Sequence, residues 1–419
     1  MSSLNLPILH DLHDPQIIAD PYPTYARMRQ EHPVWLNPAS ASFTVSRYTD
    51  VERVFKGSEF SNSRLDELFS RVPPESRSAA EAMRPLLEPR LLFTEGERHA
   101  RIKRLLAQAF SPAHLSAYEC LIEARIAFLL DRLPTGQPVD FVGQVSNQLP
   151  GMVILSLLGL PLEEQDEMKD WTDNIYAWMG HFTGSIIQRT QQALDAMQGL
   201  RRRLREHIED VRRTPRNDML SAMVHARDAG LLLDEDELVA NVIGLVNAGQ
   251  ETTACLLANG LLRLMQYPAQ MARLRGHPEL LDSAIEEMLR FDAPAQFVAR
   301  RVVEPVTLQG LTLDAGAMVA LGLASANRDE SVFEHADVFD IGRTPNKHLA
   351  FGAGRHFCVG SGLARLEARA LFRALLKGFS SIQPAWDSSA GLRWRPTLSF
   401  RCPLELPVVI QSGLPAASP

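Results

Sequence analysis

The sequence predicts a mainly α-helical protein with a small β portion, in a single domain spanning residues 1–419. Three observations carry that expectation. From residue 95 onward, stretches of helical period follow one another, separated by Pro, Gly or Asn-Asp punctuation. The run from Asp234 to Tyr267 contains no proline, enough for a helix of about 30 residues, about 45 Å long. Period-two alternation is confined to the front of the chain, to residues 301–322 and to the tail. Neither an internal repeat nor a linker-like boundary interrupts this pattern, and the ordered core is expected over about residues 15–412.

Taken in order, "QIIADPYPTYARMRQEH" reads as a loop entering a short amphipathic helix, and "PVWLNPASASFTVSRY" as two strands across an Asn-Pro turn. "TDVERVFKG" restarts helix, with Thr49 or Asp50 as the cap and Gly57 as the stop. Residues 61–92, rich in Ser, Pro, Arg and Glu, read as a long loop with helical fragments; loops of that length are usually functional or disordered. Helices are expected over 95–110, 112–132, 145–160, 162–182, 185–213 and 216–229, then in the long run, and again in "PELLDSAIEEMLRF". "VTLQGLTLDAGAMVAL" signals strands and turns, helix resumes from about Gly360 to Phe379, and "RWRPTLSFRCPLELPVVIQ" alternates like a final hairpin. The closing "GLPAASP" reads as a disordered end.

A chain with 45% hydrophobic and 22% charged residues has ample core for a globular protein. The balance of 43 basic and 50 acidic residues, net charge −7, argues against nucleic acid as a partner. The N-terminus lacks a basic start followed by a long apolar run, and no stretch approaches the roughly 20 apolar residues of a membrane span. A cytoplasmic protein without membrane contact is therefore expected. Its four cysteines, Cys120, Cys255, Cys358 and Cys402, form no CxxC pair and no disulfide framework, and three of them fit apolar patterns as small buried hydrophobes.

Cys358 stands apart, within "LAFGAGRHFCVGSGLAR". Gly352 and Gly354 before it and Gly360 after it let the backbone approach a flat ligand. A sulfur at a helix start is favoured as thiolate, and iron is the obvious partner for a buried thiolate. By spacing alone, a glycine-rich turn with an incidental cysteine remains an alternative. In "AIEEMLRF", Glu287 and Arg290 are helical neighbours, a pattern also shown by solvated surface pairs. "AGQETT", Ala248 to Thr253, sets glycine and two threonines in mid-helix, where a Thr hydroxyl competes for a backbone carbonyl; the segment is a local distortion or merely a tolerated weak spot.

The fuller string F-G-x-G-x-H-x-C-x-G, formed by Phe351, Gly352, Gly354, His356, Cys358 and Gly360, resembles the haem-binding loop of the cytochrome P-450 family, in its soluble bacterial-type form. Other family-like strings, "DPYPTYARMR", "FTVSRYTDVERVF", "NDMLSAMVHARD", "ANRDESVF" and "LARLEARALF", extend the resemblance over about residues 15–412. It implies the cytochrome P-450 fold, with haem b (iron protoporphyrin IX) between the long central helix and the Cys358 loop with its following helix. Cys358 would be the axial thiolate of the iron. Phe351 and Gly352 would pack beside the cofactor and His356 would bond a propionate. Arg300 and, through "GERHARIKR", His99 and Lys103 resemble the family's other propionate partners, although arginine is usual where Lys103 stands. Glu287 and Arg290, with Arg343 from "VFDIGR", would form a buried network supporting the loop. Ala248 would border the oxygen-binding groove, Thr252 would hydrogen-bond dioxygen, and Glu251 would relay protons through water.

The acid–alcohol pair implies monooxygenation with O2, since family members that use peroxide often lack it. No flavin or nicotinamide fingerprint appears, so electrons from NAD(P)H are expected through a ferredoxin or flavodoxin and its reductase. Arg101, Lys103, Arg104, Lys347 and Arg355 could form a positive rim for that donor. The family is usually monomeric. Its substrate-facing regions correspond to residues 61–92, the segment around "YAWMGHFTG", Gly244 and its surroundings, the stretch after Arg290, and "TLSF". Asn247 and Gln296 are polar exceptions among apolar residues there, which suggests a mid-sized, mostly apolar substrate with a carbonyl, hydroxyl or carboxylate. Hydroxylation in specialised metabolism is the leading expectation; epoxidation, desaturation and phenol coupling are alternatives from the same oxidant. A non-catalytic haem sensor would not need Glu251 and Thr252, and a haem-free interaction protein would not need the ordered motifs.

Overall fold

In a computed structural model of the protein, residues 12, 14–37, 42–180, 185–230, 234–386 and 391–413 are described. The expected disordered tail from Leu414 onward lies outside them. Helix dominates, and the proline-free run forms a single helix, Glu235–Gln266, of 32 residues. No described helix is long and apolar enough to cross a membrane. Backbone contacts group the chain into two compact units, each assembled from three stretches: Met1–Arg64, Asn259–Cys358 and Asp387–Leu404 in the first, and Leu65–Ala258, Val359–Trp386 and Glu405–Pro419 in the second.

The first unit contains the main sheet, five strands in the order Val34–Asn37, Ser42–Val45, Met318–Gly322, Phe297–Val302 and Phe60–Ser61. The first two pair antiparallel with Val34 opposite Val45, as the alternation predicts. Ser42–Val45 then lies parallel to Met318–Gly322. The helix Tyr48–Lys56 stops at Gly57 as expected, but neither Thr49 nor Asp50 caps it. Its cap is remote: the Tyr48 N–H donates to the Asp329 carboxylate at 2.8 Å. Asp50 instead accepts the Gln309 amide at 2.9 and 3.1 Å. That contact steadies the two-residue turn Gln309-Gly310, with φ of 48° and 79°, which joins strands Val306–Leu308 and Leu311–Leu313. Val51, Phe55, Phe60, Val319 and Leu321 are among the buried residues of the core on this sheet. A helix not foreseen in the sequence, Pro268–Gly276, starts on a proline, which is tolerated in a first helical turn because it lacks only an N–H that would have no partner there.

The second unit is built of helices and one small sheet. The stretch expected as a long loop with helical fragments is mostly helical, as Leu65–Ser70 and Pro74–Leu87. The apolar stripe Ala80, Met83, Leu86 and Leu87 drives the second of these, interleaved with Ser, Arg and Glu that mask it in composition. Helices Gln165–Met179 and Ile186–Arg213 meet at Gly199, where a Cβ would stand 2.7 Å from the Trp171 indole. Ser361–Gly378 crosses Pro112–Leu130 at Gly362, which leaves room for Leu115. The expected final hairpin does not form as one. Pro407–Ser412 pairs with Phe379–Pro384 and Pro138–Asp140, and in the first unit only single bridges, Trp394–Pro403 and Ala295–Phe400, mark the rest of the tail. Pro396, Pro403 and Pro407 cannot donate to a ladder, which limits pairing along this segment.

Two buried ion networks brace the first unit. Glu287 and Arg290 are fully buried, and the guanidinium donates through Nε and Nη2 to both carboxylate oxygens at 2.7 and 2.8 Å. Its remaining donors reach the carbonyls of Asn327, Ala336 and Val338. Arg343 pairs with Glu287 at 3.2 Å, so the three residues read from the sequence do come together. The second network centres on Asp292, which accepts from Arg263 at 2.6 and 2.9 Å, from the Tyr22 hydroxyl, and pairs with Arg401 at 3.0 Å. Arg328 stacks between the Tyr22 and Phe291 rings. Burial, followed by the Asp292 charge, pushes the Tyr22 hydroxyl up to about 12. Burial alone would raise Asp292, but Arg263, Arg401 and the Tyr22 hydroxyl outweigh it and hold the carboxyl below its usual range.

Glu287→Gln leaves buried Arg290 and half-buried Arg343 without their anion and should destabilise the protein by roughly 3–5 kcal/mol in denaturant unfolding; an unchanged midpoint would show that the network is dispensable. Asp292, with its lowered folded value, contributes stability that is full above about pH 4 and is lost as the pH falls through that lower value. Asp292→Asn should therefore flatten the acid limb of the stability profile, measured as urea midpoints from about pH 6 down to about pH 2.

Candidate functional site

The Cys358 loop is shaped by its own backbone and by the helix before the sheet's edge strand. Gly352 N–H bonds the Leu349 carbonyl at 2.8 Å and Cys358 N–H bonds the Phe351 carbonyl at 3.0 Å. Gly352 and Gly354 have φ of 71° and 70°, a region that residues with a Cβ avoid. At Gly354 a Cβ would also stand 2.8 Å from the Phe55 carbonyl oxygen, so glycine is required twice over. Arg355 anchors the loop to the Phe60 carbonyl at 2.6 Å. The result presents Cys358 and Phe357 exposed, with the Phe351 ring 6.4 Å from that of Phe357 and His356 half-buried in a short 3₁₀ turn. Cys255 and Cys402 are buried as expected, whereas Cys120 is exposed on its helix, because it falls on the outward face of Pro112–Leu130.

On the long helix, Gly244, Ala248 and Thr252 recur every four residues and share a face. Ala248 is exposed and Gly244, Glu251 and Thr252 are half-buried, while Leu245, Val246 and Leu256 beside them are buried. The Thr252 hydroxyl donates to the Ala248 carbonyl at 3.1 Å, the competition expected from the sequence. Burial, and then the Glu251 charge, push the Tyr176 hydroxyl well up, so it stays protonated beside that carboxylate.

The proposed propionate partners occupy varied settings. Arg300 is buried, its guanidinium 5.0 Å from the Phe55 ring centroid. His99 is buried and Lys103 half-buried one turn on along Gly96–Ala109, with Arg104 exposed. Arg101 is committed elsewhere: with Arg98 it pairs with the fully buried Glu237, at 3.0 and 2.8 Å, which weakens its expected part in a cationic rim.

Gln296 differs from expectation. Its amide bonds the Ala293 carbonyl at 2.7 Å and accepts the Tyr25 hydroxyl at 3.1 Å, so its polar ends are used within the fold, although it lines a cleft with Ile17, Thr397 and Leu398. Asn247 is buried with only long contacts, 3.4 Å to the Thr172 carbonyl and 3.5 Å from Arg90. His181–Gly184 of the expected substrate segment lie outside the described residues. Arg90 belongs to no motif, and nothing in its sequence surroundings, where Glu88 stands two residues away, singles it out.

These side chains suit a haem. An accessible soft sulfur stands at the end of a loop whose glycines admit close approach, and buried or half-buried cations suit carboxylate groups. The comparisons agree. A family model for cytochrome P-450 matches residues 34–387. The biotin biosynthesis cytochrome P-450 of Bacillus subtilis is 32% identical over 402 residues, 94% of this chain and 98% of that protein. The mycinamicin IV hydroxylase/epoxidase of Micromonospora griseorubida is 34% identical, covering 88% of this chain and 89% of that one. The solved structure of a cytochrome P-450 in complex with an acyl carrier protein ligated to hexadec-9Z-enoic acid matches with a TM-score of 0.87 at 30% identity, covering 95% of this chain and 99% of that one. With its thiol-bearing loop, its acid–alcohol pair and this breadth of likeness, the chain belongs to the cytochrome P-450 family, haem-dependent oxidoreductases.

Proposed function

We propose that this protein inserts one oxygen atom of O2 into a mid-sized, mostly apolar small molecule, with hydroxylation as the outcome, in specialised metabolism. The observation that carries this reading is the Glu251–Thr252 pair on the accessible face of the long helix. Haem b, held through sulfur, would supply the chemistry of O2 reduction and oxygen-atom transfer to a C–H bond, with water as the second product. The balance is substrate, O2, two electrons and two protons giving alcohol and water. Protons are the protein's task. Thr252 holds a hydroxyl at the exposed face and can pass a proton onward while its back-bond to Ala248 re-forms. Glu251, half-buried, can replenish it through water. Cys358 would supply the iron's sulfur ligand, Phe351 and Gly352 would flank the cofactor, and His356, Arg300, His99 and Lys103 would serve its propionates, Lys103 as a point charge without arginine's fork.

The substrate class is supported by relatives named for biosynthetic reactions and by the acyl chain carried in the structural neighbour. Epoxidation is a second reading, favoured by the name of one relative and served by the same residues. In this reading the two electrons come from NAD(P)H through a ferredoxin or flavodoxin and its reductase, in the cytoplasm, with the oxygenase as a monomer.

Reduced protein exposed to carbon monoxide should show a strongly red-shifted Soret band that disappears in Cys358→His; a band indifferent to that change would remove the thiolate assignment. Thr252→Ala should still consume NAD(P)H with its reductase system, yet yield at least about tenfold less product per electron pair and correspondingly more hydrogen peroxide. Unchanged coupling would remove Thr252 from proton delivery.

A further inference from the structure

We propose that Arg90 binds a carboxylate of the substrate, so that the apolar molecule oxidised here is an organic acid; its fate as a substrate rests on the monooxygenase reading above, whereas the binding itself does not. Arg90 follows the helix Pro74–Leu87 and is 4% exposed. Its Nε donates to the Leu86 carbonyl at 2.8 Å, which closes the end of that helix. Helix capping explains one of the five N–H donors and no more. Nη1 reaches Asn247 Oδ1 only at 3.5 Å, and buried Nη2 donates to nothing among the described residues. No described carboxylate pairs with the guanidinium, unlike half-buried Arg263 and the buried Arg290 and Arg401, each of which faces an acid. A buried cation left so is costly, and an anion supplied from outside the chain removes that cost.

The position suits a substrate anchor. The Arg90 stem lies along the long helix at Gly244, its Cγ and Cδ 3.9 Å from where a Cβ would be, and Asn247 comes one residue before Ala248. The guanidinium therefore stands beside the turn preceding the accessible Ala248 and Thr252. Burial lowers Arg90 to about 10, partly offset by Tyr176, which leaves it cationic at neutral pH. A planar fork whose Nη1 and Nη2 face no acid among the described residues matches a carboxylate better than a lone carbonyl or hydroxyl, and Asn247, held by long contacts alone, can turn its amide toward the same oxygen atoms.

The test is isothermal titration calorimetry of the holoenzyme with dodecanoate, its methyl ester and dodecanol. Dodecanoate should bind the wild type roughly tenfold to a hundredfold more tightly than the ester or the alcohol. Arg90→Met should abolish that preference while keeping affinity for the ester, and Arg90→Lys should keep the charge but lose much of the preference. Equal binding of acid and ester by the wild type, or a preference that survives Arg90→Met, overturns the proposal. So does a uniform loss for all three probes, which would mark Arg90 as support for the pocket only. If Arg90→Met does not fold, as judged by circular dichroism, Arg90→Lys and the wild-type comparison decide. The carbon monoxide spectrum reports separately on the haem-thiolate reading, so either conclusion can fail alone.

Discussion

The Glu287 carboxylate is the constraint on which the first unit depends. A charge taken out of water must have every lone pair answered, and here both oxygens are. Oε1 accepts from Arg290, from the Asp340 N–H and from Arg343, and Oε2 accepts from Arg290 and from Asn346. The irregular stretch leading to the cysteine is thereby fixed without any regular secondary structure of its own. From Arg290 the restraint passes through Asn327, whose carbonyl takes one guanidinium donor and whose side chain accepts the Leu349 N–H at 2.7 Å, at the mouth of the loop. An electrostatic requirement at one helical turn becomes positional accuracy at a sulfur some seventy residues later in the chain.

Local rules of folding are broken at a few positions. Positive φ at Gly352 and Gly354, a threonine bonded back into its own helix at Thr252, and a buried cation without an acid at Arg90 each cost stability. None lies in the main sheet or its core. The expense is confined to the loop, to one turn of the long helix and to the segment beside it, while conventional packing elsewhere keeps the fold.

What could be read from the sequence was what depends on near neighbours in the chain. The long helix, the Asn-Pro strand pair and the cysteine loop all announce themselves within a few dozen residues, and Glu287 and Arg290 are three apart. What stayed hidden depends on remote partners. The cap of Tyr48–Lys56 comes from Asp329, and the arginines around Asp292 arrive from Arg263, Arg328 and Arg401, so no window contains the pattern. The helix Pro74–Leu87 was obscured by polar composition, the tail by alternation that proline prevents from pairing, and Gln296 by partners at Tyr25 and Ala293 that only folding supplies.

The same remoteness governs how the molecule is made. Arg401 donates to the carbonyls of Ile18 and Ala19 across 383 and 382 residues, and strand Ser42–Val45 takes its parallel neighbour from Met318–Gly322. Translation at ~5–20 residues per second separates the emergence of those strands by a time on the order of tens of seconds. Throughout that interval the N-terminal hairpin has an open edge and an apolar face with nothing to cover it. The strand order thus makes completion of the main sheet a late event in synthesis, set by the last of its strands to leave the ribosome.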